Sequence, residues 1–234
     1  MYLWQKKLKD AETVSFDIFD TLIERKNIKD PRDVFRLTGE KSLPDIDQNT
    51  FCTDRIIAEK KARDKKDSRE VTLTEIYQEL PQRYEAFRER LQEEEKQIEL
   101  EIAQPKHKLV QLYRWCQQSG KKVYIVSDMY LPVNHIIQML EKCGIQNADG
   151  IYLSNEYLAS KRDGRLFRSL ITEQNIAVEK HVHIGDDIKG DYFGARKNGM
   201  QAILIHRKNR IRRIIRSITY KIRIKRMLTN IISV

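Results

Sequence analysis

Proline and glycine are scarce in this chain, five and nine among 234 residues. That scarcity argues against a collagen-like, linker-like or low-complexity protein, and no Gly-rich phosphate loop of the Walker type is present. Cysteine is nearly as rare. Cys52, Cys116 and Cys143 are odd in number and lack ligand-like spacing, which points away from a disulfide framework or zinc site. Reduced thiols in a cytoplasmic protein are the plain expectation. No apolar run approaches the ~20 residues that span a bilayer. The first residues, Met1-Tyr2-Leu3-Trp4-Gln5-Lys6-Lys7, lack the apolar stretch of a secretory signal, so none is expected. Finally, no acidic residue follows Asp191.

That last absence locates the charge. The chain carries a formal net charge of +10, and ten of its 44 basic residues lie between Arg207 and Arg226. The remaining 34 equal the 34 acidic residues, so the body of the protein is formally neutral. In the tail, Ile211, Ile214, Ile215, Ile218 and Ile222 form a helical stripe surrounded by Arg and Lys. Residues 207–234 are therefore expected to form a basic amphipathic helix. Its partner is expected to be an anionic membrane surface, placing the protein peripherally at the inner face of the membrane, or an acidic protein surface; nucleic acid is not favoured. Liposome co-sedimentation that survives truncation at His206 would speak against the membrane.

With 40% hydrophobic residues, the chain can bury one core plus a small accessory module. Short runs at 13–18, 122–127, 150–153, 181–184 and 201–205 read as strands, with helix-like stretches between them. The helix before the second strand carries Leu109, Leu112 and Cys116 on one face and stops at Ser119-Gly120. Pro132 opens the next, whose Val133, Ile136, Ile137 and Leu140 are spaced to pack on a sheet. Another is expected from about Ile188 to Lys197. This alternation implies an α/β fold with a doubly wound parallel sheet.

About a hundred residues between the first two strands break the alternation. Pro31-Arg32-Asp33 reads as a helix start, a charged helix follows around 47–66, and a shorter one runs from Thr72 to Leu80. Tyr84, Phe87, Leu91, Ile98 and Ile102 mark the apolar stripe of a longer helix. The expected organisation is thus a core of residues 1–23 and 106–206 with a helical insertion at 24–105.

The polar residues that close the strands carry the chemistry. Thr13-Val14-Ser15-Phe16 delivers Asp17 at its tip, followed by Ile18-Phe19-Asp20-Thr21-Leu22. Lys122-Val123-Tyr124-Ile125-Val126 ends in Ser127-Asp128, and Val182-His183-Ile184-Gly185 ends in Asp186-Asp187, with Asp191 four residues on. Lys161 lies between them in Ser160-Lys161-Arg162-Asp163-Gly164, with Arg162 a competitor for its role. Open parallel sheets bind ligands at the carboxyl ends of their strands, where Asp17, Ser127 and Asp186 fall. Left to itself, Asp186-Asp187 also suits a helix N-cap.

The four segments, in this order, resemble the haloacid dehalogenase (HAD) superfamily of Mg-dependent phosphatases and phosphotransferases, over about residues 13–205. More narrowly, Phe16-Asp17-Ile18-Phe19-Asp20-Thr21-Leu22 with Ser127-Asp128-Met129-Tyr130-Leu131-Pro132 resembles a bacterial subgroup of predicted HAD hydrolases, often associated with glycosyltransferases and surface-polysaccharide loci. The resemblance implies a Rossmann-like core, a substrate-selecting cap at 24–105 and an aspartyl-phosphate on Asp17. It implies Mg²⁺ held by Asp17, Asp186 and the backbone carbonyl of Phe19, with Asp187 or Asp191 holding or orienting its waters. Ser127 would bind a phosphoryl oxygen, and Lys161 would neutralise charge developing there. The substrate implied is a small phosphorylated metabolite, such as a sugar or glycan precursor.

One departure stands out. The family's phosphatases carry a second aspartate, the general acid and base, two residues after the nucleophile. Here that position is Phe19, and the acid falls at Asp20. Successive side chains leaving a strand point to opposite sides. Asp20 therefore either swings in after a local rearrangement or braces the turn; in the second case the enzyme needs a leaving group requiring no proton, or the domain binds without turnover. Dehalogenases of the superfamily also have an aromatic residue there, but carbon–halogen displacement needs no divalent cation, which disfavours it beside Asp186, Asp187 and Asp191. His107, His135, His181, His183 and His206 form no evident set; packing or a polar supporting role is expected of His181 and His183. Met129 and Tyr130 are expected at the site mouth or, equally, in ordinary loop packing.

Overall fold

The computed structural model describes residues 2–28, 30–43 and 45–205. The expected helix at 207–234 lies outside them. In chain order the elements are α1 (Tyr2–Lys7), β1 (Thr13–Phe16), β2 (Ile23–Arg25), α2 (Asp33–Ser42), α3 (Gln48–Asp64), α4 (Leu73–Gln78) and α5 (Arg88–Ile102). Then come β3 (Ala103–Pro105), α6 (His107–Gln118), β4 (Lys122–Ser127), α7 (Val133–Lys142), β5 (Gly150–Leu153), α8 (Ser154–Tyr157) and α9 (Arg165–Gln174). The described residues close with β6 (His181–Gly185), α10 (Ala195–Lys197) and β7 (Gln201–Leu204). No helix among the described residues is long and apolar enough to cross a membrane.

Five strands pair in parallel in the order β5-β4-β1-β6-β7. The chain first winds from β1 through β4 to β5, then returns to the other side of β1 for β6 and β7. The switch point therefore lies at the carboxyl end of β1, between β4 and β6, where open sheets gather their ligands. The central strands β1, β4 and β6 are buried along nearly their whole length, whereas the edge strand β7 is only partly covered. Val14, Phe16, Val123, Ile125, Val182 and Ile184 join the face covered by α6 and α7. Tyr124, Val126 and Tyr152 join the other, covered by Leu166, Phe167 and Leu170 of α9. On α7 the inward side is His135, Ile136, Met139 and Leu140. Ile137, expected on the sheet, is 38% exposed instead, because it falls one residue past the buried stripe.

Two strands escaped the sequence reading. β2 and β3 pair antiparallel, Glu24 opposite Gln104, as a short neck from which α2–α5 project. At three residues each they are too short to show a period. The helical unit is capped by conventional means: Asp47 accepts from Thr50 N–H at the start of α3, and Thr72 with Glu75 forms a capping box on α4. Its contact with the core is direct, since Leu73 N–H donates to the Tyr130 carbonyl at 2.8 Å.

The expected helix at 188–197 is also different. Residues Ile188–Gly194 wind as a wide π-helical turn before α10. Tyr192 N–H reaches back five residues to the Asp187 carbonyl at 3.1 Å. Such turns are rare and cluster at functional sites. This one folds Asp191 back against β6.

Candidate active site

Asp17 follows β1 directly, and its N–H continues the sheet by donating to the Ile184 carbonyl at 2.9 Å. Its carboxylate is thereby fixed at the switch point, buried at 5% exposure. Ser127, the last residue of β4, donates to Asp17 Oδ1 at 3.2 Å. The Lys161 ammonium reaches the same oxygen at 2.6 Å and Asp191 Oδ1 at 2.5 Å. Lys161, not its neighbour Arg162, therefore serves the carboxylates; Arg162 lines a neighbouring cleft. Asp17, Asp186 and Asp191, all buried, each place a carboxylate oxygen within 4.8 Å of the other two. Oxygen donors so grouped suit a hard cation such as Mg²⁺.

Close packing holds the set. A Cβ on Gly185 would lie 2.2 Å from Asp191 Cγ, and one on Gly194 would lie 2.1 Å from the Lys161 carbonyl oxygen. Only glycine allows β6 and the π-helical turn to press Asp191 and Lys161 into the cluster. Asp191 Oδ2 accepts Asp187 N–H at 2.8 Å. Asp187 itself stands apart from the three: exposed, it caps the turn by accepting Gly190 N–H at 2.6 Å. The helix-cap role that its position allowed is the one its geometry displays.

Burial raises the Asp17 carboxyl above the ordinary carboxylate range, with Lys161 opposing and Asp191 adding to the rise. Burial pushes Asp191 the same way, but there the Lys161 ammonium and the His183 hydrogen bond win and hold it well below that range. Burial alone would lower Lys161; Asp17 and Asp191 together raise it well above an ordinary lysine, so it stays charged.

Phe19 and Asp20 belong to a tight turn at the neck. Asp20 has a positive φ of 59°, a conformation that Asp tolerates better than most residues. Its N–H donates to the Ile23 carbonyl at 2.7 Å, and its carbonyl accepts from the Lys106 ammonium. The Phe19 ring lies under the Arg25 guanidinium at 4.2 Å, and Arg25 in turn forms a bidentate pair with Glu99 at 2.7 and 2.8 Å. Asp20 contributes to the negative field at Arg25. Both residues thus join the brace between core and helical unit.

Beside the site, bordered by Asp128, Ser160 and Arg162, lies a cleft of about 550 Å³ between the core loops and the end of α3 with the loop that follows it. Met129 and Tyr130 line it as expected, facing Arg63, Ser68 and Glu70. Asp128, unremarked in the sequence reading, borders it too. Its Oδ1 accepts Lys161 N–H at 2.8 Å, and close confinement pushes its carboxyl up to about 6 against the pull of Lys161.

His183 takes the polar supporting position expected of it. His183 Nε2 lies 3.2 Å from Asp191 Oδ1. The available signal was a polar residue at every second place, Thr13 and Ser15 or His181 and His183, within strands otherwise apolar. His181 is fully buried, and burial followed by His183 pushes it from the ordinary 6.5 down to about 3. The unfolded chain therefore takes up this proton first as pH falls. The contribution is intact above the ordinary value and drains away toward the depressed one, at up to ~1.4 kcal/mol per pH unit. Urea midpoints between about pH 7 and about pH 4 should fall less steeply in His181→Gln than in wild type; equal slopes would contradict the assignment.

The chain matches the haloacid dehalogenase-like hydrolases over residues 48–205, more than half its length, though the match begins beyond Asp17. No curated protein matches it. Among solved structures it is similar to a HAD phosphatase from Thermococcus onnurineus, 20% identical, TM-score 0.58, covering 84% of this chain and 87% of that one. An L-2-haloacid dehalogenase is 13% identical, with TM-score 0.60 and coverage of 84% and 85%. A magnesium-bound HAD hydrolase from Bacillus subtilis is 16% identical, with TM-score 0.58 and coverage of 83% and 88%. At such identities these likenesses concern the fold.

Proposed function

We propose that this chain, which belongs to the haloacid dehalogenase-like hydrolases, is a Mg²⁺-dependent phosphohydrolase or phosphotransferase working through an aspartyl-phosphate on Asp17. The observation that carries this reading is the buried set of Asp17, Asp186 and Asp191 around Lys161. Three carboxylates against one ammonium leave two negative charges in a dry site, a costly arrangement without a further cation. Asp17, Asp186 and Asp191 would hold it, with the Phe19 carbonyl as the additional oxygen that the family resemblance supplies. Bound there, Mg²⁺ would shield the phosphoryl group from the carboxylates. Carbon–halogen displacement has no use for such a site, and the magnesium in the Bacillus subtilis neighbour agrees with the phosphoryl reading.

The residues divide the work simply. Asp17 attacks phosphorus, the bond to the leaving oxygen breaks, and water or another acceptor later takes the phosphoryl group from the carboxylate. Ser127 and Lys161 orient Asp17 in the ground state, and Lys161 neutralises charge gathering on the phosphoryl oxygens. Phe19 has no proton to give. General acid help is worth roughly 10²–10⁴-fold, so the substrates turned over fastest are those with good leaving groups, acyl phosphates and diphosphates. The cleft suits a small phosphorylated metabolite. Its acids and arginines are nearly balanced in number and Ser68 and Ser160 add hydroxyls, which fits a sugar or glycan precursor better than a polyanion.

The test is phosphate release from acyl phosphates, sugar phosphates and nucleoside diphosphates, with and without Mg²⁺. Release that needs Mg²⁺ and favours good leaving groups is expected. Ligand-dependent stabilisation without product from any substrate would replace the enzyme with a binding or scaffolding module of the same fold.

A further inference from the structure

Beneath the carboxylates, a line of polar side chains crosses the α9 face of the sheet. Thr13 and Ser15 of β1 stand opposite His181 and His183 of β6 in the parallel register. Ser15, His181 and His183 are 0% exposed, and the Phe167 ring packs edge-on to His183 with centroids 4.8 Å apart. Buried imidazoles are costly unless their nitrogens are satisfied. Here all four nitrogens have partners. His181 Nδ1 meets Thr13 Oγ1 at 2.7 Å, and His181 Nε2 meets Ser15 Oγ at 2.8 Å. His183 Nδ1 meets the same Ser15 Oγ at 2.8 Å, and His183 Nε2 meets Asp191 Oδ1 at 3.2 Å.

The hydrogens in this line can be counted. Asp191, an ionised carboxylate, only accepts, so His183 must carry its proton on Nε2. A His183 ring with one proton then accepts at Nδ1, and the single Ser15 hydrogen is spent there. Ser15 Oγ must therefore accept from His181 Nε2–H, and His181 Nδ1 must accept from the Thr13 hydroxyl. One arrangement satisfies every group.

We propose that His183 is a positioning residue for Asp191, held as the Nε2–H tautomer by that carboxylate, and that Ser15, His181 and Thr13 extend the line with hydrogen bonds all running toward it. Asp191 Oδ1 is thereby turned toward Lys161 and the cation position, while Asp187 N–H holds Oδ2. This rests on the reading of Asp191 as part of a Mg²⁺ site. Partners of this kind orient metal ligands and typically matter 10–100-fold in metal affinity.

Long-range ¹H–¹⁵N correlation of the imidazoles, in the full chain at neutral pH with Mg²⁺ present, should show both His181 and His183 as Nε2–H tautomers. In Ser15→Ala, His183 should keep its Nε2–H toward Asp191, while His181, having lost the partner of its Nε2, should show a mixture. An Nδ1–H tautomer at either histidine of the wild type would overturn the proposal, and that measurement needs no variant to fold. Calorimetry with Mg²⁺ should show about 10–100-fold weaker binding for His183→Leu, and recovery of most of it in His183→Gln, whose amide N–H can still reach Asp191. Wild-type affinity in His183→Leu, or no recovery in His183→Gln, would also overturn it. Absence of any Mg²⁺ binding by the wild type would sink the cation reading instead, with the tautomers still deciding the direction of the line.

Discussion

Asp17→Asn should abolish Mg²⁺-dependent phosphate release, by roughly 10⁴-fold or more, while leaving the protein at least as stable as wild type. The two halves of this result have one cause. A carboxamide cannot attack phosphorus, so no covalent intermediate forms. Asp17 is also a carboxyl that burial pushes upward, which means that the fold holds its charge at a cost. A neutral side chain of the same shape removes that cost, while Lys161 keeps Asp191 as a partner. A structural residue behaves oppositely, since its loss lowers stability. Thermal melting beside phosphate-release assays separates the cases, and a destabilised Asp17→Asn with residual activity would take Asp17 out of the nucleophile's role.

Asp20→Asn completes the comparison. Its N–H and carbonyl both serve the turn, bonding to Ile23 and Lys106, and a substitution at the side chain leaves those bonds in place. Activity toward acyl phosphates is expected to survive. If Asp20→Asn is as dead as Asp17→Asn, Asp20 swings into the site during turnover and supplies the acid that Phe19 cannot.

Much of this arrangement was legible because buried parallel strands cannot hide. Thr13–Phe16, Lys122–Ser127, Gly150–Leu153 and Gln201–Leu204 are short, mostly apolar runs with few competing readings. Their terminal polar residues stand out against apolar neighbours, which is why Asp17, Ser127 and Asp186 could be named before their distances were known. Lys161 was harder: it sits in a loop beside Arg162, and only the close approach of Gly194 to its backbone decides which side chain turns inward. The neck strands, the π-helical turn and the division between Asp187 and Asp191 depend on hydrogen bonds that no periodicity announces. The buried pairs Arg25–Glu99 and Arg55–Glu95 were equally unreadable, since 40 or more residues separate the partners. Charged residues on a helix are solvated by default, and only the tertiary fold says otherwise.

The second of those pairs should dominate the stability of the helical unit. Arg55 and Glu95 are both 0% exposed, with Arg55 donating to the two carboxylate oxygens at 2.9 and 2.8 Å. The Tyr77 hydroxyl donates to Glu95 at 2.7 Å. The rings of Phe35 and Tyr130 lie 4.4 and 5.1 Å from the guanidinium carbon. Glu95→Leu leaves the buried guanidinium only its 3.3 Å contact with Glu59 among the aromatic rings, and leaves the Tyr77 hydroxyl only the Leu91 carbonyl at 3.2 Å. Breaking a buried pair from one side costs about 3–5 kcal/mol, a large share of the 5–15 kcal/mol typical of a whole domain. The urea midpoint should fall accordingly. Changing both partners, Arg55→Met with Glu95→Leu, removes the stranded charge and should recover most of the loss, because apolar replacements of a buried pair are often neutral. Tyr130 extends the effect to function. It follows Ser127 by three residues and contacts Arg55 across the junction, so Glu95→Leu should raise KM even where the protein stays folded. A loss below about 1 kcal/mol in Glu95→Leu would mean that the pair is solvated, and that the helical unit is held by its apolar contacts alone.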